Sequence, residues 1–116
     1  MLERAKSLGY LATVHDNFMM NVRTSPDWNP ECVVQDIYGE PMVRGWWGGG
    51  IECPSWPLAL PADRTSAHME RVKALGVSGP YYMDYMFQPL EVNHHPRHRG
   101  PRSGFLKGML KLVSEA

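Results

Sequence analysis

Val72-Lys73-Ala74-Leu75-Gly76-Val77, followed by Pro80-Tyr81-Tyr82-Met83-Asp84, is the stretch from which a fold can be argued. It reads as the end of a helix, a glycine, a short β-rich run and an aspartate. Glycine suits the left-handed position that stops a helix, and Lys73 in the last turn suits the helix dipole. Tyr81-Tyr82-Met83 shows little polar alternation, as expected of a parallel strand buried on both faces. The same order occurs earlier, as Ala5-Lys6-Ser7-Leu8-Gly9 and then Tyr10-Leu11-Ala12-Thr13-Val14-His15-Asp16. Helix, glycine and buried strand, repeated, predict an α/β architecture. Strands are expected at Tyr10–His15 and Tyr81–Met86, parallel, with Asp16 and Asp84 at one edge.

Working outward, Pro61-Ala62-Asp63-Arg64-Thr65-Ser66 offers caps for a helix that puts Met69, Val72 and Leu75 on one face. A further helix is expected near Ser103–Ser114, with Phe105, Leu106, Met109, Leu110 and Val113 on its apolar stripe. About 45 residues separate Asp16 from Pro61, where a βα loop usually has about 2–6. Loops of that length are usually functional. Cys32–Tyr38 and Met42–Trp46 flank Gly39-Glu40-Pro41, which predicts a β-hairpin standing on the loop.

The bulk numbers set bounds. The chain has 116 residues, whereas a complete (β/α)₈ barrel needs about 200–250. Leu2–Leu8 reads as a helix that lost its start, and Ala116 stands where another strand would follow. The expectation is therefore a partial TIM-type barrel, residues 1–116 being a fragment of one catalytic domain. It would hold two or three parallel strands, helices, and an active-site loop at about 17–61. Twelve basic residues balance twelve acidic ones, so no charge excess steers the chain to nucleic acid. No apolar run approaches the ~20 residues of a membrane span. The N-terminus has no apolar signal core, which leaves the compartment of a parent protein undetermined. Cys32 and Cys53 form no metal motif; they could pair, or stand as two core thiols.

Asp84 is the foremost candidate for chemistry. It ends a strand too apolar to host a charge without a reason, and strand ends form the active-site face of α/β barrels. The alternative is a helix N-cap or a salt-bridged aspartate in a βα turn. His15-Asp16-Asn17 ends the other strand, and its polar groups could contact a substrate or serve as turn residues. Trp46-Trp47-Gly48-Gly49-Gly50 can offer flat apolar faces to a sugar ring, or fill a small core with Trp28 and Trp56. His94, His95 and His98 suggest a metal. Arg97, Arg99 and the prolines around them argue instead for a solvated or anion-contacting loop. Glu52 is a spare carboxylate on the long loop.

Taken together, His15-Asp16-Asn17, the Trp46-Trp47 loop, Tyr82-Met83-Asp84, Pro89-Leu90 and His95-Pro96 resemble glycoside hydrolases of the family 101 and 129 type. These are barrel enzymes acting on α-linked N-acetylgalactosamine. The resemblance spans most of the chain, as scattered short motifs. It implies that Asp84 is the nucleophile of a retaining hydrolase and that Trp46 and Trp47 line the sugar site. The expected substrate-binding set is His15, Asp16, Asn17, Trp46, Trp47, Gln88 and His95. No cofactor or metal is expected. The partners would be a carbohydrate and the remainder of the parent barrel. The acid/base of these families is a glutamate on a later strand, which has no match here, so the fragment alone would be inactive. Two other classes compete: a metal-dependent hydrolase using His15, Asp16, His94, His95 and Asp84, and a non-catalytic carbohydrate-binding barrel.

Overall fold

A computed structural model describes residues 2–17, 19–47, 50–77, 79–84 and 89–115, with backbone alone at positions 46 and 47. The order is α1 (Leu2–Ser7), β1 (Val14–Asn17), β2 (Met20–Val22), β3 (Gly45–Trp47), β4 (Gly50–Pro54), α2 (Arg64–Ala74), β5 (Tyr81–Asp84) and α3 (Arg102–Ser114). Short 3-10 turns lie at Pro30–Cys32 and Pro57–Ala59.

The two repeated units behave as their sequence predicts. α1 and α2 both stop at a left-handed glycine, Gly9 and Gly76, with φ of 80° and 81°. The Gly76 N–H closes onto the Lys73 carbonyl at 2.8 Å, and the Gly9 N–H onto Lys6 at 2.9 Å. β1 and β5 then pair in parallel, Val14 with Tyr81, His15 with Tyr82, Asp16 with Met83 and Asn17 with Asp84. The chains meet just before the ladder, where the Gly79 N–H bonds to the Ala12 carbonyl at 2.8 Å. A Cβ on Gly79 would lie 2.5 Å from that oxygen, so only glycine lets the two chains approach.

The strands are shorter than expected. Tyr10–Thr13 lies outside β1, and Tyr10 and Leu11 are about two-thirds exposed. With β5 as its one ladder neighbour among the described residues, β1 is regular where that neighbour runs beside it. Of the expected Tyr81–Met86 strand, Tyr81–Asp84 is observed, and residues 85–86 lie outside the described part. The described residues give one parallel pair within a mixed α/β fold, not a closed barrel.

The long loop is a second sheet. β4 takes β2 on one side and β3 on the other, both antiparallel. The expected hairpin is present only in its inner part. The Met42 N–H bonds to the Val34 carbonyl at 2.9 Å, and the Asp36 N–H to Glu40 at 2.9 Å. Asp36 Oδ1 then accepts from the N–H groups of Tyr38 and Glu40, which closes the tip. Beyond Met42 the predicted partner leaves: Gly45–Trp47 pairs with Gly50–Pro54 instead. The glycines and Pro54 hide this strand, because both residue types normally argue against one.

This excursion supplies most of the core. Met19, Cys32, Val34, Trp56 and Leu60 pack with Phe105, Met109 and Leu112 of α3, and Tyr81 and Met83 of β5 lean onto them. The rings of Trp56 and Phe105 meet edge to face at 5.7 Å. α3 thus turns Phe105, Met109 and Leu112 inward, while Leu106, Leu110 and Val113 stay exposed. The predicted stripe is rotated, because Gly108 is pressed against Pro57 and fixes the contact line. Cys32 and Cys53 are both buried and unpaired; the Cys32 thiol donates to the Ala59 carbonyl at 3.2 Å.

Asn93 ties segment 89–100 to this core. Fully buried, its Oδ1 accepts the N–H groups of Gln35 (2.8 Å) and His95 (3.2 Å). Its Nδ2 donates to the His98 carbonyl at 3.0 Å, and its backbone exchanges two hydrogen bonds with Gly100. Removing that side chain strands buried donors and an acceptor at once. Asn93→Ala is expected to destabilise the chain by about 2–4 kcal/mol in urea unfolding. A loss under about 0.5 kcal/mol, as at an ordinary surface site, would show that the segment is held by something else.

Candidate active site

In a parallel ladder, paired residues face the same way and successive residues alternate. The register therefore sorts the strand-end groups onto two faces. His15, Asn17, Tyr82 and Asp84 share one, and Val14, Asp16, Tyr81 and Met83 share the other. Asp16 and Asp84 do lie at the same edge, as predicted. They point to opposite sides of the sheet, so the expectation that both reach one ligand is corrected by the pairing.

Asp16 faces α2. Its Oδ2 meets His68 Nε2 at 2.7 Å and accepts the Tyr81 hydroxyl at 3.2 Å. Its Oδ1 accepts the Asn17 N–H at 2.6 Å. Burial, and then the charge of Asp16 that its hydroxyl bonds to, push the Tyr81 phenol well above the usual range. Asp16 thus latches β1, β5 and α2 together. It also lines a cleft of about 590 Å³ with Asn17, Arg64, His68 and Arg71. Asn17 Oδ1 accepts the Met20 N–H at 3.0 Å and starts β2, which is turn chemistry.

Asp84 is held far more loosely. The Tyr82 hydroxyl reaches Oδ1 at 3.4 Å, and His15 Nε2 stands 3.7 Å from Oδ2. The His15 and Tyr82 rings are 5.8 Å apart and tilted by 43°. The His15 side chain is 64% exposed and that of Asp84 34%. Contacts this open contribute little to stability. Among the described residues this carboxylate accepts one long hydrogen bond, which leaves lone pairs available for chemistry.

The other expected residues are distributed unevenly. Trp46 and Trp47 occupy β3, opposite Ile51 and Gly50; their side chains, and all of Gln88, lie outside the described residues. His95 is buried, at 4% exposure, and does not line an open site. Its Nδ1 accepts the Arg97 N–H at 3.1 Å, and its Nε2 is 3.2 Å from Glu31 Oε2. Arg97 caps the same carboxylate with its guanidinium.

Among the described residues, Glu31, His95 and His98 are the group whose ligand atoms gather closely enough for a metal ion. The hydrogen bonding argues against one. An Nδ1 that accepts a backbone N–H leaves the ring proton on Nε2, the nitrogen facing Glu31, and a cation would also have to displace Arg97. These residues form a clamp between Pro30–Cys32 and segment 89–100. The set His15, Asp16, His94, His95 and Asp84, required by the metal-hydrolase alternative, is not brought together. Asp16 and Asp84 are on opposite faces, and His95 is in the clamp.

His68 had no sequence signal. It lies on a helix some fifty residues from Asp16, and only the packing of α2 on β1 joins them. Tyr82 was visible inside the decisive motif, but its reach to Asp84 follows from strand geometry.

No protein-family model matches the chain, and no curated protein sequence matches it either. Solved structures do. The α-N-acetylgalactosaminidase NagBb from Bifidobacterium bifidum in complex with GalNAc superposes with a TM-score of 0.76 at 17% identity, over 97% of this chain and 18% of that one. Its ligand-free form gives 0.77 at 17% identity, over 97% and 19%. The complex with Gal-NHAc-DNJ gives 0.76 at 17% identity, over 97% and 18%. The chain has the fold of part of that glycosidase. This chain spans under a fifth of that enzyme's length.

Glu52 supplies a test of the second sheet. It sits in β4 between Val22 and Gly45, buried, and burial raises its carboxyl pKa. A carboxyl whose folded pKa exceeds its unfolded value stabilises the fold fully below the unfolded value. That contribution is lost as pH rises through the folded value. Glu52→Gln should therefore melt higher than the parent sequence at pH 7 and lose that advantage near about pH 4. A variant less stable at pH 7 would mean that the carboxylate is needed as a charge.

Proposed function

We propose that the chain is part of a retaining glycoside hydrolase acting on α-linked N-acetylgalactosamine, with Asp84 as nucleophile. The observation that carries this reading is the contrast between the two strand-end aspartates. Asp16 is locked by His68, Tyr81 and the Asn17 N–H. Asp84 stands on the face turned away from α2, a third exposed, beside His15 and Tyr82. The likeness to a glycosidase fold supports the reaction class.

In this mechanism an Asp84 oxygen attacks the anomeric carbon as the bond to the aglycone oxygen breaks. A covalent glycosyl ester results, and water then cleaves it. A second carboxyl group, about 5–5.5 Å from the first, protonates the leaving oxygen and later activates the water. No residue of this chain matches that role, and the reading assigns it to the remainder of the barrel. That remainder would also cover the open edges of the β1–β5 pair, which a barrel closes. His15, Trp46, Trp47 and Gln88 are proposed to contact the sugar. Asp16 and His95 keep the structural places described above.

The test is kinetic and uses the complete enzyme containing this chain. With an aryl α-N-acetylgalactosaminide, Asp84→Asn is expected to lower kcat by roughly 10⁴-fold or more, the scale of losing a covalent nucleophile. Azide added to Asp84→Gly should restore turnover by attacking from the vacated side, giving the β-glycosyl azide. Near-normal hydrolysis by Asp84→Asn would reduce Asp84 to a turn residue.

A further inference from the structure

The geometry around Asp84 points to Tyr82 as a positioning residue, whose hydroxyl holds Oδ1 so that Oδ2 is the attacking oxygen. This rests on the reading of Asp84 as nucleophile. Tyr82 and Asp84 are two residues apart on one strand, so their side chains share a face. The Tyr82 hydroxyl lies 3.4 Å from Oδ1. Among the described residues the acceptor of this hydroxyl is Asp84 Oδ1, and the His15 ring stands beside the phenol at 5.8 Å. On the other oxygen, His15 Nε2 at 3.7 Å is beyond hydrogen-bond distance. Among the described residues the two oxygens are therefore unequal: Oδ1 accepts a hydrogen bond and Oδ2 has none.

That inequality has a chemical use. A carboxylate with neither oxygen held rotates about its Cβ–Cγ bond and spends much of its time misaligned with the anomeric carbon. With Oδ1 held, Oδ2 keeps a fixed bearing. The Oδ2–C1 bond forms as the C1–aglycone bond breaks, and Oδ1 becomes the ester carbonyl oxygen. It can go on accepting from Tyr82, so the same contact serves both half-reactions. As a stabilising contact the pair is worth little, because Tyr82 is 60% exposed. A merely structural tyrosine here should affect neither folding nor rate.

The experiment is a double-mutant cycle in the complete enzyme. Tyr82→Phe should lower kcat roughly 10- to 100-fold, as loss of a charge-assisted hydrogen bond does, with KM and the melting temperature nearly unchanged. In the azide-rescued Asp84→Gly background the same substitution should cost nothing further, since no carboxylate is left to hold. An unchanged kcat in Tyr82→Phe, with Asp84→Asn inactive, overturns this inference alone. An equal loss in the rescued background also overturns it, because the hydroxyl would then be touching sugar. Activity retained by Asp84→Asn overturns both readings together.

Discussion

The pairing of Asn17 with Asp84 in a parallel ladder is the constraint from which the rest of the site follows. Sheet side chains alternate with a period of two, so a slip of one residue would exchange the faces of an entire strand. In the observed register Asp84 shares a face with His15 and Tyr82, and Asp16 is turned into the helix layer with Tyr81. The glycine at 79 makes the register possible by admitting the Ala12 carbonyl, and the Asp16–His68–Tyr81 contacts hold it. The two aspartates look alike in sequence. One is spent on architecture, which leaves the other available.

Two strands cannot bury a domain's worth of apolar surface, and here they do not have to. The core lies between the 17–61 excursion and α3, with Trp56 against Phe105 at its centre. The segment after β5 is returned to that core by Asn93, the Glu31–His95–Arg97 clamp and the Arg44–Glu91 ion pair. The loop that looked functional by its length is thus also a structural element. It carries β3, with Trp46 and Trp47 in register against β4.

Much of this was legible in the sequence where local chemistry decides the outcome. Gly9 and Gly76 stop helices, the runs before Asp16 and Asp84 form parallel strands, and α3 starts within a residue of its expected position. The hairpin tip at Gly39 was readable from its turn residues. What the sequence hid depends on tertiary pairing. Gly50–Pro54 has the composition of a loop and becomes a strand because β2 and β3 flank it. Leu106 and Leu110 fit a helical stripe and are exposed, because Gly108 on Pro57 sets the rotation of α3. His95 sits in a motif that suggests a binding loop and proves to be buried. Polar side chains buried by distant segments leave no periodic trace.

If Asp84 is the nucleophile it forms a covalent bond to sugar, and that bond can be weighed. The complete enzyme would be treated with a 5-fluoro N-acetylgalactosaminyl fluoride, which slows the second half-reaction more than the first. Proteolysis and mass spectrometry would then follow. One glycosyl adduct is expected, on the peptide containing Tyr81–Asp84, with fragmentation placing it on Asp84. An adduct on any other carboxylate, or hydrolysis with inverted anomeric configuration and no adduct, would contradict the assignment of Asp84 as nucleophile.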